Sequence, residues 1–159
     1  MSLKVRRIVT GHDEAGKAIV KIDEMASNVR ETRKGANAAV IWTTDDGFPV
    51  DNDGFEDPSN RSIGTTVPNG TVFRVLQLNP GVAPRRHRTD SIDYAVVMSG
   101  EVDMVLDGET VRLRAGDVMV QRGTVHDWVN NGTEPCVIAF VLVSAKPVSA
   151  GGETLAAHG

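Results

Sequence analysis

The sequence predicts an all-β protein, an antiparallel sandwich or small barrel preceded by an N-terminal strand extension. From Thr71 onward, short runs of alternating apolar and polar residues follow one another at close spacing. Turn sequences separate these runs, among them SGE, LDGE, RAGD, QRG and NNGTEP. Little of the chain shows helical periodicity, and many short strands divided by turn signals are typical of sandwiches and small barrels.

The N-terminal part predicts two or three strands and a long loop. VRRIVT and AIVKID flank the turn-rich GHDEAG, which favours a hairpin, and NAAVIWTT predicts a further strand. MASNVRETRKGA, between the last two, is too polar and too weakly periodic to predict a helix. TDDGFPVDNDGFEDPSNRSIG is rich in Asp, Gly and Pro, and predicts a surface loop.

Period-2 alternation predicts the strands of the barrel. TVFRVLQL ends at the turn NPG, and the segments around Met104 and Leu113 place apolar residues on one face and charged residues on the other. VIAFVLV (residues 137–143) is apolar on both faces, so we expect a cover on its outer side too, a subunit interface being one candidate. The tail SAKPVSAGGETLAAHG predicts a loosely ordered end.

Size and composition indicate one soluble domain. The 159 residues are 40% hydrophobic and 24% charged, and we divide them into N-terminal strands and acidic loop (1–70), barrel (71–145) and tail (146–159). The net charge of −4 argues against nucleic acid or an anionic membrane as a partner. The single cysteine, Cys136, allows no intrachain disulfide. No apolar run is long enough for a membrane span or a signal peptide, which predicts a cytoplasmic location.

Two histidines and a carboxylate stand out as candidate metal ligands. His87 shares a strand face with Arg85 and Thr89, and Asp93 begins the return strand. About forty residues after His87, His126 lies among apolar neighbours, where a polar side chain needs a partner. Two histidines and one carboxylate match the facial triad of non-haem Fe(II) sites, and Zn(II) accepts the same ligands.

These segments resemble the paired motifs of the cupin family. The first motif is a glycine, five residues, His-x-His, three or four residues, Glu, six residues and Gly. This chain has PGVAPRRHRTDSIDYAVVMSG, with Gly81 and Gly100 at the two glycine positions. The second motif appears as GDVMVQRGTVHDWVN, in which Gln121 replaces the usual proline and the preceding segment is one residue shorter. The resemblance implies a cupin double-stranded β-helix (jelly-roll barrel) with a metal site in its mouth.

Two of the four ligand positions depart from the family pattern. By resemblance, His87 and His126 are the first and last ligands, Thr89 stands where the second histidine would be, and Asp93 replaces the glutamate. A threonine hydroxyl is a poor ligand at neutral pH, and aspartate reaches about 1.5 Å less far than glutamate, one carbon–carbon bond. The set His87, Asp93 and His126 still predicts a divalent metal, Fe(II) or Zn(II), with an open position beside Thr89.

Three residues are candidate substrate contacts. Arg85 is either an anchor for an anionic group or an exposed surface arginine, Trp128 either stacks on a substrate or packs in the wall, and Thr89 could donate a hydrogen bond to a ligand. Tyr94 is expected to face away from the site, and Asn130 is expected to pin the turn at Asn131-Gly132.

The leading hypothesis is a metal-dependent cupin enzyme, an oxidoreductase, isomerase or lyase acting on a small organic acid, sugar-derived or aromatic substrate. The alternative is a non-catalytic small-molecule binding or sensing cupin without metal. A storage-type barrel is a third alternative, against which these polar residues argue, since a packing-only core would not need them. Family resemblance and the two-sided apolar strand at 137–143 predict a homodimer.

Overall fold

The computed structural model describes residues 2–159 and contains thirteen strands in four antiparallel sheets. The strands are β1 (Arg6–His12), β2 (Ala18–Met25), β3 (Arg30–Arg33), β4 (Ala36–Thr44), β5 (Thr71–Leu78), β6 (Ser91–Ser99), β7 (Glu101–Val105), β8 (Thr110–Arg114), β9 (Val118–Arg122), β10 (Asp127–Val129), β11 (Cys136–Ser144), β12 (Val148–Ala150) and β13 (Glu153–Leu155). The all-β, jelly-roll prediction is confirmed. Within residues 2–159 no helix is long and apolar enough to cross a membrane.

Two facing sheets enclose the core of the jelly roll. The larger has six strands in the order β3-β4-β5-β11-β6-β9, and the smaller has three in the order β10-β7-β8. Inward side chains from both form one apolar cluster, whose fully buried members include Val72, Leu78, Val102 and Ile138. Gly100 turns the chain from β6 into β7 with a positive φ of 71°, which explains a glycine at this end of the first motif.

The N-terminal extension joins the barrel rather than standing apart from it. β1 and β2 form the expected hairpin around GHDEAG, and β3 and β4 continue the six-stranded sheet from β5. Buried Arg7 on β1 forms ion pairs with Asp57 of the long loop and Glu24 of β2, both at 2.6 Å. The loop is therefore fastened to the hairpin.

The apolar strand β11 is covered by the barrel core on one face and only in part on the other, where a cover was also expected. Ile138, Phe140 and Leu142 point into the barrel core. On the outer face, Val137 and Ala139 pack against a second cluster that includes Leu3 and residues of β4 and β5. The N-terminal segment thus supplies part of the cover.

The tail is more ordered than its composition predicts. β12 and β13 form a hairpin, and His158 pairs with Arg88 through two main-chain hydrogen bonds of 2.9 and 3.0 Å. The expectation of a loose end was wrong, because the small and polar residues of the tail find backbone partners on the segment that carries His87.

Candidate active site

The backbone brings the two site histidines side by side. His87 and His126 form an isolated antiparallel bridge in which each main-chain N–H donates to the other's carbonyl at 3.0 Å. Their rings lie 4.3 Å apart between centroids, and the side chains are almost fully buried. Residues thirty-nine positions apart in the sequence therefore act as direct neighbours in the barrel wall.

Main-chain carbonyls fix the tautomer of each ring. His87 Nδ1 lies 2.9 Å from Arg85 O, and His126 Nδ1 lies 3.0 Å from Thr124 O. Since a carbonyl only accepts hydrogen bonds, both Nδ1 atoms carry the proton and both Nε2 atoms are acceptors. The Gln121 amide nitrogen, at the position of the motif's proline, lies 2.9 Å from His126 Nδ1 and 3.3 Å from His126 Nε2.

Both imidazoles are neutral at pH 7. Burial lowers the pKa of His126 to about 4, against a weaker opposing effect of its bond to Thr124. Burial also lowers the pKa of His87, and the nearby positive charge of Arg85 acts in the same direction. Each ring therefore offers a free-base nitrogen across the neutral pH range.

Asp93 lies at the base of a short hydrogen-bond chain. It is 4% exposed and points inward from β6, on the face it shares with Ala95 and Val97. Ser91 Oγ donates to Asp93 Oδ1 at 2.5 Å, and Thr89 Oγ1 lies 2.9 Å from the same serine hydroxyl. Burial raises the pKa of Asp93, although the Ser91 bond opposes the change.

A cavity of about 450 Å³ contains all of these groups. Every residue that the sequence singled out for the site lines it: the candidate ligands His87, Asp93 and His126, and the candidate substrate contacts Arg85, Thr89 and Trp128. Apolar side chains from several strands complete the wall, namely Ala38, Ile63, Leu76, Phe140 and Leu142. A volume of this size suits a small organic ligand.

Arg85 and Trp128, for which the sequence left two alternatives open, both line the cavity. Arg85 is half-buried, and its Nη2 donates to Thr65 Oγ1 at 3.1 Å and to Gly159 O at 3.0 Å. Trp128 is 3% exposed and contacts His126 and Phe140 edge to face, so it forms wall and cavity lining at once.

The two structural roles expected beside the site are also seen. Tyr94 faces outward and is half exposed. Asn130 accepts from Gly132 N at 2.9 Å and pins the turn.

The arrangement does not form a complete metal centre. Across residues 2–159, no group of three or more His, Cys, Asp or Glu side chains is close enough together to hold a metal ion. His87 and His126 are adjacent, but the third donor, Asp93, is engaged by Ser91. As they stand, the side chains do not fit a three-ligand metal site.

Two arginines of the cavity were missed by the sequence reasoning. Arg74 lies on β5 and Arg33 ends β3, and both line the cavity. Arg74 shares its strand face with Val72 and Leu76, so a charged residue on an apolar face was a readable signal. Arg33 gave no such signal, because RETR has no apolar face.

Comparisons with known proteins agree with the fold. The Cupin domain family model matches residues 74–143. The chain is 36% identical to the cupin-domain-containing oxidoreductase fogC of Aspergillus ruber, over 96% of this chain and 78% of that protein. It is 38% identical to the phomopsin biosynthesis cluster protein C' of Diaporthe leptostromiformis, over 94% of this chain and 83% of that protein.

A similar solved structure is KdgF from a Halomonas species, with a TM-score of 0.47 and 17% identity over 73% of this chain and 87% of that chain.

Proposed function

The chain belongs to the cupin family, and from that premise we propose that it is an enzyme that moves a proton on a small organic substrate held in the barrel cavity. One observation carries this proposal: two neutral imidazoles, His87 and His126, lie together in the wall of a cavity that also has apolar and charged side chains in its lining. Relatives named as oxidoreductases or as biosynthesis cluster proteins support an enzyme of small-molecule metabolism.

His87 is the proposed general base. Its Nδ1–H is committed to Arg85 O, which leaves Nε2 as the acceptor for a substrate proton. His126 Nε2 already has the Gln121 amide as a neighbour, so it is the less available of the two. A carbon acid next to a carbonyl is a suitable substrate, because its C–H bond breaks to give an enolate as the proton passes to His87. Oxidation would need an electron acceptor in addition, and the proton transfer is the part that these side chains can perform.

Asp93 is proposed as the second acid–base group. Burial raises the pKa of Asp93. The hydrogen bonds from the Asp93 carboxyl through Ser91 to Thr89 form a route along which a proton can leave the carboxyl. Burial favours the carboxylic acid form of Asp93, and in that form the group is a better proton donor to the enolate than the serine or threonine hydroxyls beside it.

A second candidate function is a metal-dependent cupin with Fe(II) or Zn(II) at His87, Asp93 and His126. It is favoured by the Nδ1–H bonds to backbone carbonyls, because metal-binding histidines commonly donate their second nitrogen in this way. Asp93 would first have to leave Ser91 and approach the two rings. Elemental analysis of protein purified without chelators, beside the variants His87→Ala and Asp93→Ala, tests this candidate. Less than a tenth of an equivalent of any transition metal, even after anaerobic loading, would contradict it.

We also propose a homodimer formed through the outer face of the large sheet. A shallow depression lies on β5, β6, β9 and β11, and within residues 2–159 no charged residue lines it. Tyr94, Val96, Val118 and Val120 in this depression are 46–76% exposed. β9 is an edge strand of the sheet. A second copy, related by a twofold axis, would cover the same apolar face on both chains.

The test of the proton-transfer proposal is solvent exchange. Wild-type protein is incubated in D₂O with a panel of 2-oxo and 3-oxo acids, and NMR follows loss of the proton signal next to the carbonyl. We expect catalysed exchange for at least one compound, reduced about 100-fold or more in His87→Ala. The exposed His12→Ala variant is the matched control and should exchange at the wild-type rate. Compounds that bind to the wild type without exchange would instead favour a non-catalytic binding cupin.

A further inference from the structure

The cavity carries an excess of positive charge beside the histidine pair. Three arginines line it, Arg33 from β3, Arg74 from β5 and Arg85 from the segment before His87. Asp93 is the one carboxylate side chain in the lining. Between residues 2 and 159, neither Arg33 nor Arg74 forms an ion pair within 4.0 Å with an Asp or Glu side chain.

In Arg33 and in Arg74, one guanidinium nitrogen donates hydrogen bonds to main-chain carbonyls, and another is buried with no acceptor among residues 2–159. Arg74 Nη2 donates to Gly64 O at 2.7 Å and to Thr65 O at 2.9 Å, whereas its buried Nε has no acceptor among the described residues. Arg33 Nε donates to Ala83 O at 2.8 Å, and its buried Nη2 likewise has none in that part of the chain. Main-chain carbonyls fix both guanidinium groups in place but leave their charge unpaired.

Burying the cations Arg33 and Arg74 close to the positive charge of Arg85 is unfavourable. Burial, together with a smaller effect of the charge of Arg85, lowers the pKa of Arg74 to about 10, against the attraction of Asp93. Burial and Arg85 lower the pKa of Arg33 in the same manner. Charged groups inside proteins are ordinarily paired, so an anion belongs here when the cavity is occupied.

We propose that Arg33 and Arg74 form a binding site for the carboxylate group of the ligand. The planar guanidinium groups match a carboxylate, which accepts several hydrogen bonds at once. The rest of the ligand then lies against Trp128, Phe140 and Leu142 in the same cavity. The ligand class is an aryl or alkyl carboxylic acid, and this inference rests on the proposed function because it places the charged end of that substrate.

Benzoate and its neutral isostere benzamide test the proposal directly. Isothermal titration is run on wild type and on Arg33→Gln, Arg74→Gln and Arg30→Gln. The last is a matched control, since Arg30 is an exposed residue of the same β3 strand. Each cavity variant removes one charged partner, so we expect benzoate affinity to fall at least tenfold in both, with little change for benzamide or in the control. Hexanoate and hexanamide form a second pair that tests an alkyl body.

The outcomes separate this inference from the proposed function. The variant His87→Ala should keep benzoate affinity within about threefold while losing proton exchange. Arginine-dependent binding without exchange in the wild type would overturn the proposed function and support the carboxylate site. Equal affinity of acid and amide, unchanged affinity in both arginine variants, or binding of inorganic phosphate with neither carboxylate would each overturn the carboxylate site. If circular dichroism shows that both arginine variants are unfolded, the affinities of the wild type decide. A benzoate affinity at least tenfold above the benzamide affinity supports the site, and equal affinities overturn it.

Discussion

Replacing His126 by glutamine should remove much of the acid sensitivity of the fold. Burial lowers the pKa of His126 from 6.5 to about 4, so the folded protein binds this proton more weakly than the unfolded chain. Stability is therefore fully present above the unfolded value and is lost as the pH falls toward the folded value. For these two pKa values, linkage gives a loss of about 2 kcal/mol between pH 7 and pH 5. His126→Gln lacks this contribution and should lose about 2 kcal/mol less than wild type over the same interval.

Urea unfolding of chelator-treated protein measures this difference. Tryptophan fluorescence follows unfolding at several pH values from 7 to 5, and the free energy of unfolding is extrapolated to water. His87 has a lowered pKa too, so the variant retains part of the wild-type slope in the same direction. The exposed His12→Gln variant should reproduce the wild-type slope. An equal loss of stability in wild type and His126→Gln would show that His126 is not held neutral by burial.

Three further changes test the fold and the assembly. Arg7→Ala leaves two carboxylates without their buried partner and should cost about 2 kcal/mol in chemical unfolding, a moderate loss because those carboxylates are partly exposed. Arg6→Ala, whose ion pair is exposed, should leave the free energy of unfolding almost unchanged. Gly70→Ala would drive a methyl group into a main-chain carbonyl of β4 and should lower the free energy of unfolding by about 2 kcal/mol or more, whereas Gly108→Ala points into open space and should have little effect. Val118→Asp should convert a dimer to a monomer in light scattering, and a monomeric wild type would contradict the dimer.

The barrel was predictable in part because alternation indicates which face of a strand is buried. Val102, Met104 and Leu113 are buried as the alternation of β7 and β8 predicts, whereas β6 and β9 expose apolar residues such as Val96 and Val118. Spacing from Gly81 to Asn130 was enough to identify paired site motifs. The candidate residues His87, Asp93 and His126 do line one cavity. Whether they bind a metal stays a prediction, since spacing cannot say how closely three side chains converge.

Long-range pairing explains what the sequence did not reveal. The tail contains no apolar pattern, yet the backbone of His158 pairs with Arg88, seventy positions earlier. Arg33 enters the cavity because β3 pairs with β4, which in turn pairs with β5. Neither contact leaves a local signal, because main-chain hydrogen bonds do not depend on residue type.

The residues that depart from the cupin motif are linked to other residues of the site by hydrogen bonds. The Thr89 hydroxyl is hydrogen-bonded to Ser91, and Ser91 in turn donates to Asp93. Across the sheet, Gln121 is the register partner of Asp93 and brings its amide to His126. Each altered position thus contacts another residue of the site through a hydrogen bond, which is not what the loss of a site by unrelated substitutions would produce. The network keeps a carboxyl group and two neutral imidazoles in one cavity, and that is a set of groups suited to proton transfer.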